Sequence, residues 1–233
     1  MSASWPTLDD LSLVAFDADD TLWHHERFFQ EVAATAESVL SRHAPADHLH
    51  ERLRAAERRN LAVYGYGVKG YGLSLMETAV EVSGGAVTGE EIRTLLDLVR
   101  SLMTHPIELL PGVVEALDHV ADRVPIALVT KGDLFHQEAK LASSGLADRF
   151  EHVAIVSEKD PSTYRGRFES WGVAPSSALM IGNSVPSDIE PVLSIGGHAA
   201  HVSSGHDWDL ELRPLPEQAL HLDHLGELVE RLV

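Results

Sequence analysis

Over its second half the chain alternates short apolar runs with stretches of helical periodicity. Val124-Pro125-Ile126-Ala127-Leu128-Val129 is an apolar run of strand length, closed by Thr130-Lys131-Gly132-Asp133. A mixed polar and apolar helical stretch follows to Ser144, and Gly145 stands where a helix C-cap is expected. His152 to Val156 is the next strand, ending at Ser157-Glu158-Lys159, and a helix carrying Tyr164 and Phe168 comes after it. Ala178 to Ile181 leads into Gly182-Asn183-Ser184-Val185-Pro186-Ser187-Asp188. Ser187 and Asp188 open a helix through Leu193, which Gly196-Gly197 ends, and Ala199 to Val202 is a last short strand. The run Leu11 to Phe16 belongs to the same series. Strands alternating with helices predict an α/β fold: a Rossmann-like, doubly wound parallel sheet with helices on both faces.

Residues 24–105 interrupt this alternation. Phe28, Phe29, Val32, Ala36, Val39 and Leu40 fall at helical spacing, as do Leu49, Leu53 and Ala56. Thr88-x-x-Glu91 is a capping box ahead of Ile92, Leu95, Leu96, Val99 and Met103. The expectation is an all-helical cap domain, residues 24–105, inserted into a core domain made of residues 1–23 and 106–233. Its connections, near Trp23–His25 and from His105-Pro106 to Pro111-Gly112, are candidate hinges. Within the cap, Tyr64-Gly65-Tyr66-Gly67-Val68-Lys69-Gly70-Tyr71 predicts a flexible loop whose Tyr66 and Lys69 are candidate substrate contacts. The same segment also fits a plain helix–helix connection with surface rings. Met76, Phe28 and Phe29 are assigned to the cap's own core, and Trp23 to packing at the hinge.

The first apolar run stops abruptly at Asp17-Ala18-Asp19-Asp20-Thr21. Acids at the end of a buried strand are costly unless they face a cation or take part in chemistry. Two aspartates one residue apart can converge on a point just past the strand end. That suits a hard divalent ion, with one carboxylate to attack and the other to move a proton. The later strands end in Thr130 and Lys131, in Lys159, and in the loop to Asp188, and open parallel sheets bind ligands beyond the carboxyl ends of their strands. Each ending also has an ordinary alternative. Asp19-Asp20-Thr21 fits a turn before a helix N-cap, Thr130 a helix cap, Lys159 a solvated loop lysine, and Asp188 an acidic charge at a helix N-terminus. Their order, one after each apolar run, favours a common site.

Composition narrows the partners. The 233 residues, 44% hydrophobic, suffice for one large domain or two unequal ones. Eighteen basic against 36 acidic side chains give 18 − 36 = −18, which disfavours nucleic acid and anionic membranes. An anionic small substrate is still compatible, provided that positive charge is concentrated locally. With no cysteine, disulfides, thiolate metal sites and cysteine nucleophiles are excluded. Fourteen histidines are scattered, and His24-His25 and His48-x-His50 fit solvated helix faces better than a metal site. Leu11 to Phe16 is too short for a signal peptide or a membrane span, so a cytoplasmic location is expected.

Taken in order, Phe16-Asp17-Ala18-Asp19-Asp20-Thr21-Leu22, Leu128-Val129-Thr130, Lys159, and Gly182-Asn183 with Asp188 resemble the motifs of the haloacid dehalogenase-like hydrolase superfamily. The helical insertion between the first two resembles the cap of the subclass whose lid lies there. The resemblance implies a Mg2+-dependent phosphatase acting on a small phosphorylated metabolite. Asp17 would attack phosphorus to form an aspartyl-phosphate. Asp19, its pKa raised by Asp17, would protonate the departing oxygen and then deprotonate the hydrolytic water. Mg2+ would be held by the Asp17 carboxylate, the Asp19 backbone carbonyl and Asp188, with Asn183 beside them. Thr130, with Lys131 and Gly132, would bind phosphoryl oxygens, and Lys159 would offset charge on nucleophile and phosphoryl group. Position 183 departs from the family's more frequent acid, so Asp188 is expected to be the loop's main acidic ligand and Mg2+ affinity to be modest. Two alternatives stay open: a metal-independent 2-haloacid dehalogenase, which would not need Asp19, and a catalytically weak module that binds a phosphorylated ligand, which Asn183 encourages. The motifs name neither the substrate nor the oligomeric state.

Overall fold

A computed structural model describes residues 4–203, 205, 208 and 211–233. In chain order its strands and helices begin with β1 (Leu13–Phe16), α1 (Glu26–Leu40), α2 (Ala46–Tyr64), α3 (Val68–Val82), α4 (Gly89–Thr104) and α5 (Val113–Ala121). They continue with β2 (Ile126–Lys131), α6 (Leu134–Ser144), β3 (His152–Val156), α7 (Pro161–Ser170) and β4 (Ala178–Gly182). Last come α8 (Glu190–Ser194), β5 (His198–Val202), β6 (Leu220–Leu222) and α9 (Leu228–Arg231). The chain forms two compact units: Met1–Glu26, Ile107–Lys131 and Gln137–Val233 in the first, Arg27–Pro106 and Gly132–His136 in the second.

The first unit is built on a six-stranded sheet ordered β3-β2-β1-β4-β5-β6, every neighbouring pair parallel. The continuous apolar runs follow from this, because a parallel sheet is covered on both faces. In β1 all four side chains are buried, and they separate by period two. Val14 and Phe16 join Leu128, Leu179, Ile181, Leu117 and Val120 on one side. Leu13 and Ala15 join Val129, Met180, Tyr164, Phe168 and Val192 on the other. Strand order reverses between β1 and β4, the position where open α/β sheets bind their ligands.

Several details differ from the sequence expectation. Strand β1 covers Leu13–Phe16, the inner part of the Leu11–Phe16 run, and β2 runs on through Thr130 and Lys131. The helix expected to open at Ser187 starts earlier, as a π-type turn over Val185–Ile189 that continues into α8. Helices α5 and α9 and the three-residue strand β6 had no assignment, β6 being too short for a period to register.

The second unit packs α1 to α4 around Val32, Ala36, Leu40, Leu49, Leu53, Leu75, Leu95 and Leu102. Phe28, Phe29 and Met76 border this cluster. The Thr88–Glu91 capping box forms as the sequence indicates, with Glu91 N donating to Thr88 Oγ1 at 3.3 Å and Thr88 N to Glu91 Oε2 at 2.7 Å. The flexible loop expected over 64–71 is a correction: the break spans 65–67 only, and Lys69, Gly70 and buried Tyr71 lie in the first turn of α3. Gly72 on α3 serves packing, since a Cβ there would lie 2.8 Å from Val99 Cγ1 of α4. Among the described residues no helix is long and apolar enough to cross a membrane.

Candidate active site

Asp17 is the first residue past β1, and its N–H donates to Ile181 O of β4 at 2.9 Å. This bond holds the nucleophile candidate over the point where strand order reverses. Lys159, following β3, reaches beneath it and donates to Asp17 Oδ1 and, at 2.6 Å, to Asp188 Oδ1. All three side chains are buried. Burial raises the Asp17 carboxyl and Asp188 raises it further; Lys159 opposes them, and the balance lies at about 7. For Lys159 burial acts downward, but the two carboxylates prevail and hold the ammonium above its ordinary range. The lysine is therefore a permanent cation locked between two acids.

Thr21 closes the other side of Asp17. Its hydroxyl lies 3.2 Å from Asp17 Oδ2 and 3.4 Å from Asn183 Oδ1, and it accepts the Asn183 N–H at 3.2 Å. Asp17 Oδ2 and the Asn183 amide oxygen therefore converge on one point. Asp188 Oδ2 accepts from Ser184 N at 3.0 Å, so the π-type turn that contains Asp188 is closed by its own side chain. π-Type turns recur at functional sites because they re-aim side chains within a helix.

The turn requires Gly182. A Cβ at that position would stand 2.3 Å from Asp188 Oδ2 and 2.4 Å from its Cγ. Asp188 is fully buried and cannot swing away. Gly182→Ala is expected to destabilise the protein by about 3 kcal/mol, as overpacking at a rigid site does, and to displace Asp188. Urea unfolding checks this, and a loss below about 1 kcal/mol would show that the turn relaxes.

Asp19 occupies a different environment from the one its sequence neighbours suggest. Lys140 of α6 donates to both its oxygens, at 2.5 and 2.7 Å, and the Trp23 indole donates to Oδ1 at 2.7 Å. Gln137 donates to Oδ2 at 3.2 Å, and His25 Nε2 is 3.5 Å from the same oxygen. Burial raises the carboxyl, but His25, Lys140 and Trp23 outweigh it and hold Asp19 well below the usual carboxylate range. This corrects the expected raised pKa: the dominant neighbours are cations and donors, not Asp17. Asp20 takes the structural role open to this segment. It adopts φ 58, a left-handed conformation that aspartate tolerates, and its carboxylate accepts the N–H groups of His25 at 2.9 Å and Glu26 at 2.8 Å, capping α1.

Thr130 is buried at the end of β2 and its hydroxyl oxygen accepts from Gln137 Nε2 at 2.7 Å. A hydroxyl that accepts one bond can still donate through its O–H. Lys131 Nζ donates to Ser187 Oγ at 2.7 Å and to Glu211. Gly132 falls in the segment grouped with the helical unit, as does Asp133. In that unit Lys69 Nζ donates to Asp133 Oδ2 at 2.9 Å, and Tyr66 lies between α2 and α3.

Residues 11–196 match the haloacid dehalogenase-like hydrolase family. The chain belongs to that family. A haloacid dehalogenase-like family hydrolase of solved structure, from Xanthomonas campestris, is 36% identical, covers 99% of this chain and 94% of its own, and superposes with a TM-score of 0.85. A phosphoserine phosphatase from Thermus thermophilus is 28% identical over 94% of this chain and 97% of its own length. A glyceraldehyde 3-phosphate phosphatase from Pyrococcus furiosus is 28% identical over 45% of this chain and 47% of its own.

In this haloacid dehalogenase-like hydrolase, Asp17, Thr130, Lys159, Asn183 and Asp188 stand at successive carboxyl ends of the sheet, with Asp19 two residues beyond β1. Sequence reasoning missed Lys140, Gln137, Thr21, Tyr164 and Glu211. Gln137 and Lys140 lie one helical turn apart, so they share a face of α6, and a buried lysine on a helix carries a signal only once its partner is known. Tyr164 was placed on a helix without a role, and its hydroxyl donates to Ser187 O at 3.0 Å and so pins the Asp188 turn.

Proposed function

We propose that this hydrolase is a Mg2+-dependent phosphatase, acting on a small phosphorylated metabolite through an aspartyl-phosphate on Asp17. The observation that carries the proposal is Lys159 bridging Asp17 and Asp188 where strand order reverses, with buried Thr130 near the neighbouring strand end. The two curated relatives, named as phosphatases, support the same reaction class. A Mg2+ ion needs oxygen donors. Asp17 Oδ2 and Asn183 Oδ1 converge on the Thr21 hydroxyl, and Asp188 adjoins them through Lys159, so an all-oxygen donor set fits the ion. Among the described residues no group of three His, Asp or Glu side chains is placed to hold a metal ion, so the set relies on the Asn183 amide oxygen beside the two carboxylates. When bound, the ion would shield the Asp17 carboxylate from the phosphoryl charge.

In the first half-reaction an Asp17 oxygen forms a bond to phosphorus while the bond to the leaving oxygen breaks. The Thr130 O–H and the Lys159 ammonium meet the charge that gathers on the phosphoryl oxygens. The leaving oxygen takes a proton from Asp19, which must first acquire one at the expense of its Lys140 pair. In the second half-reaction water attacks phosphorus, its proton passes to Asp19, and the bond to Asp17 breaks to release phosphate. An Asp19 held ionised by His25, Lys140 and Trp23 suits this second step. The helical unit, inserted between β1 and β2, is proposed to select the leaving group.

The test is hydrolysis of p-nitrophenyl phosphate with and without MgCl2, beside Asp17→Asn. Mg2+-dependent turnover that falls at least about 1,000-fold in the variant is expected. Wild-type silence, or turnover that survives the substitution, overturns the proposal. Release of halide from a 2-haloacid without metal would install the dehalogenase reading instead. A folded, inactive wild type that still binds phosphate would leave a binding module.

A further inference from the structure

Lys131 follows Thr130 at the end of β2, and its charge is already matched. Its ammonium donates to Glu211 and, at 2.7 Å, to Ser187 Oγ, and Ser187 Oγ donates to the same Glu211 oxygen at 3.1 Å. Glu158, the residue before Lys159, adds a carboxylate oxygen 3.9 Å away. Neither partner is a surface group: the Lys131 and Glu211 side chains are 14% and 18% exposed. Glu211 comes from the connection between β5 and β6, so a remote stretch of chain delivers this carboxylate to the strand ends. Burial works against its charge, but Lys131, Ser184 and Ser187 prevail and hold it ionised. Within the helical unit Lys69, the other lysine with a candidate substrate role, is likewise paired, with Asp133.

We infer that Glu211 is a specificity-determining residue that cancels Lys131 and restricts the enzyme to phosphomonoesters whose leaving group carries no further negative charge. This rests on the phosphatase reading above and narrows it. A neutral polyol or an ammonium-bearing group is compatible with the rim formed by Glu211 and Glu158. A carboxylate or second phosphate there would meet two acids and a lysine already engaged. Removing the carboxylate charge but not the hydrogen-bond acceptor should release Lys131 to a second anion.

The measurement is the ratio of kcat/KM for 2-phosphoglycolate to that for glycerol 1-phosphate. In Glu211→Gln the ratio is expected to rise about five- to tenfold, the range for a freed charge in a half-screened position. The gain should shrink in 0.5 M NaCl and vanish when Lys131→Met is added. Glu211→Asp, which retains the charge, should keep the wild-type ratio and controls for folding. An unmoved ratio in folded Glu211→Gln, or a rise that survives Lys131→Met, overturns the inference while leaving the phosphatase reading intact. Wild-type enzyme that hydrolyses neither these esters nor p-nitrophenyl phosphate overturns that reading, and the inference with it.

Discussion

Lys159→Met is expected to abolish turnover and to remove about 3–5 kcal/mol of stability, the usual cost of deleting one partner of a buried ion pair. The wild-type protein keeps two carboxylates, Asp17 and Asp188, apart from water, with one ammonium touching both. Methionine fills a similar volume but leaves the acids facing one another without a cation. At neutral pH the folded chain must then either bind a proton there or hold two uncompensated charges. The stability loss should be read by urea unfolding, independently of any substrate. Adding Asp17→Asn removes one of the two orphaned acids, and the double variant should recover about half of the loss, a coupling that only neighbours in one network show. If Lys159→Met stays within about 1 kcal/mol of wild type, the ion pair is not a structural element. If it unfolds but the double variant recovers nothing, the cost lies in packing rather than in charge.

The same triad shows how far residues alone lead. Each apolar run ended in a functional group because a parallel sheet buries its strands on both faces and releases polar side chains only past the carboxyl ends. Asp17, Thr130, Lys159 and Asp188 were legible on that ground, and the sheet places Asp17, Lys159 and Asp188 around one cluster. What escaped notice was set by partners distant in sequence. Lys140 looks like an ordinary helix lysine until α6 is laid beside the end of β1, 121 residues away in sequence. Its ion pair inverts the expected state of Asp19, since proximity in sequence favoured repulsion from Asp17 whereas the fold supplies a cation. Glu211 follows the same logic. It lies on a connection with no periodic pattern, and only the fold brings it to Lys131. The 64–71 segment failed differently: its glycines read as flexibility, but Gly70 within it and Gly72 next to it permit close packing, while Gly65 and Gly67 take the positive φ that turns the chain between α2 and α3.

Asp17→Asn is expected to change the protein's response to pH as well as its chemistry. In the unfolded chain Asp17 titrates near its ordinary 3.8, whereas in the folded, metal-free protein burial and Asp188 push it up to about 7 against the pull of Lys159. Between these two values the folded state binds more protons at this site than the unfolded state does. Stability contributed by the site is therefore complete below pH 3.8 and is lost as pH rises through about 7. Asparagine has no such proton to lose. The stability of Asp17→Asn minus that of wild type should thus grow as pH rises through this window and level off above it. The full span corresponds to about 4 kcal/mol, at 1.36 kcal/mol for each unit of pKa. Taking the difference cancels the titrating groups remote from Asp17 and leaves the site formed by Asp17 with Lys159 and Asp188. Urea unfolding of both proteins in EDTA at pH 4.5, 6 and 8 measures it. A difference that stays constant across the three would mean that Asp17 keeps its charge when buried, with Lys159 alone sufficient to hold it.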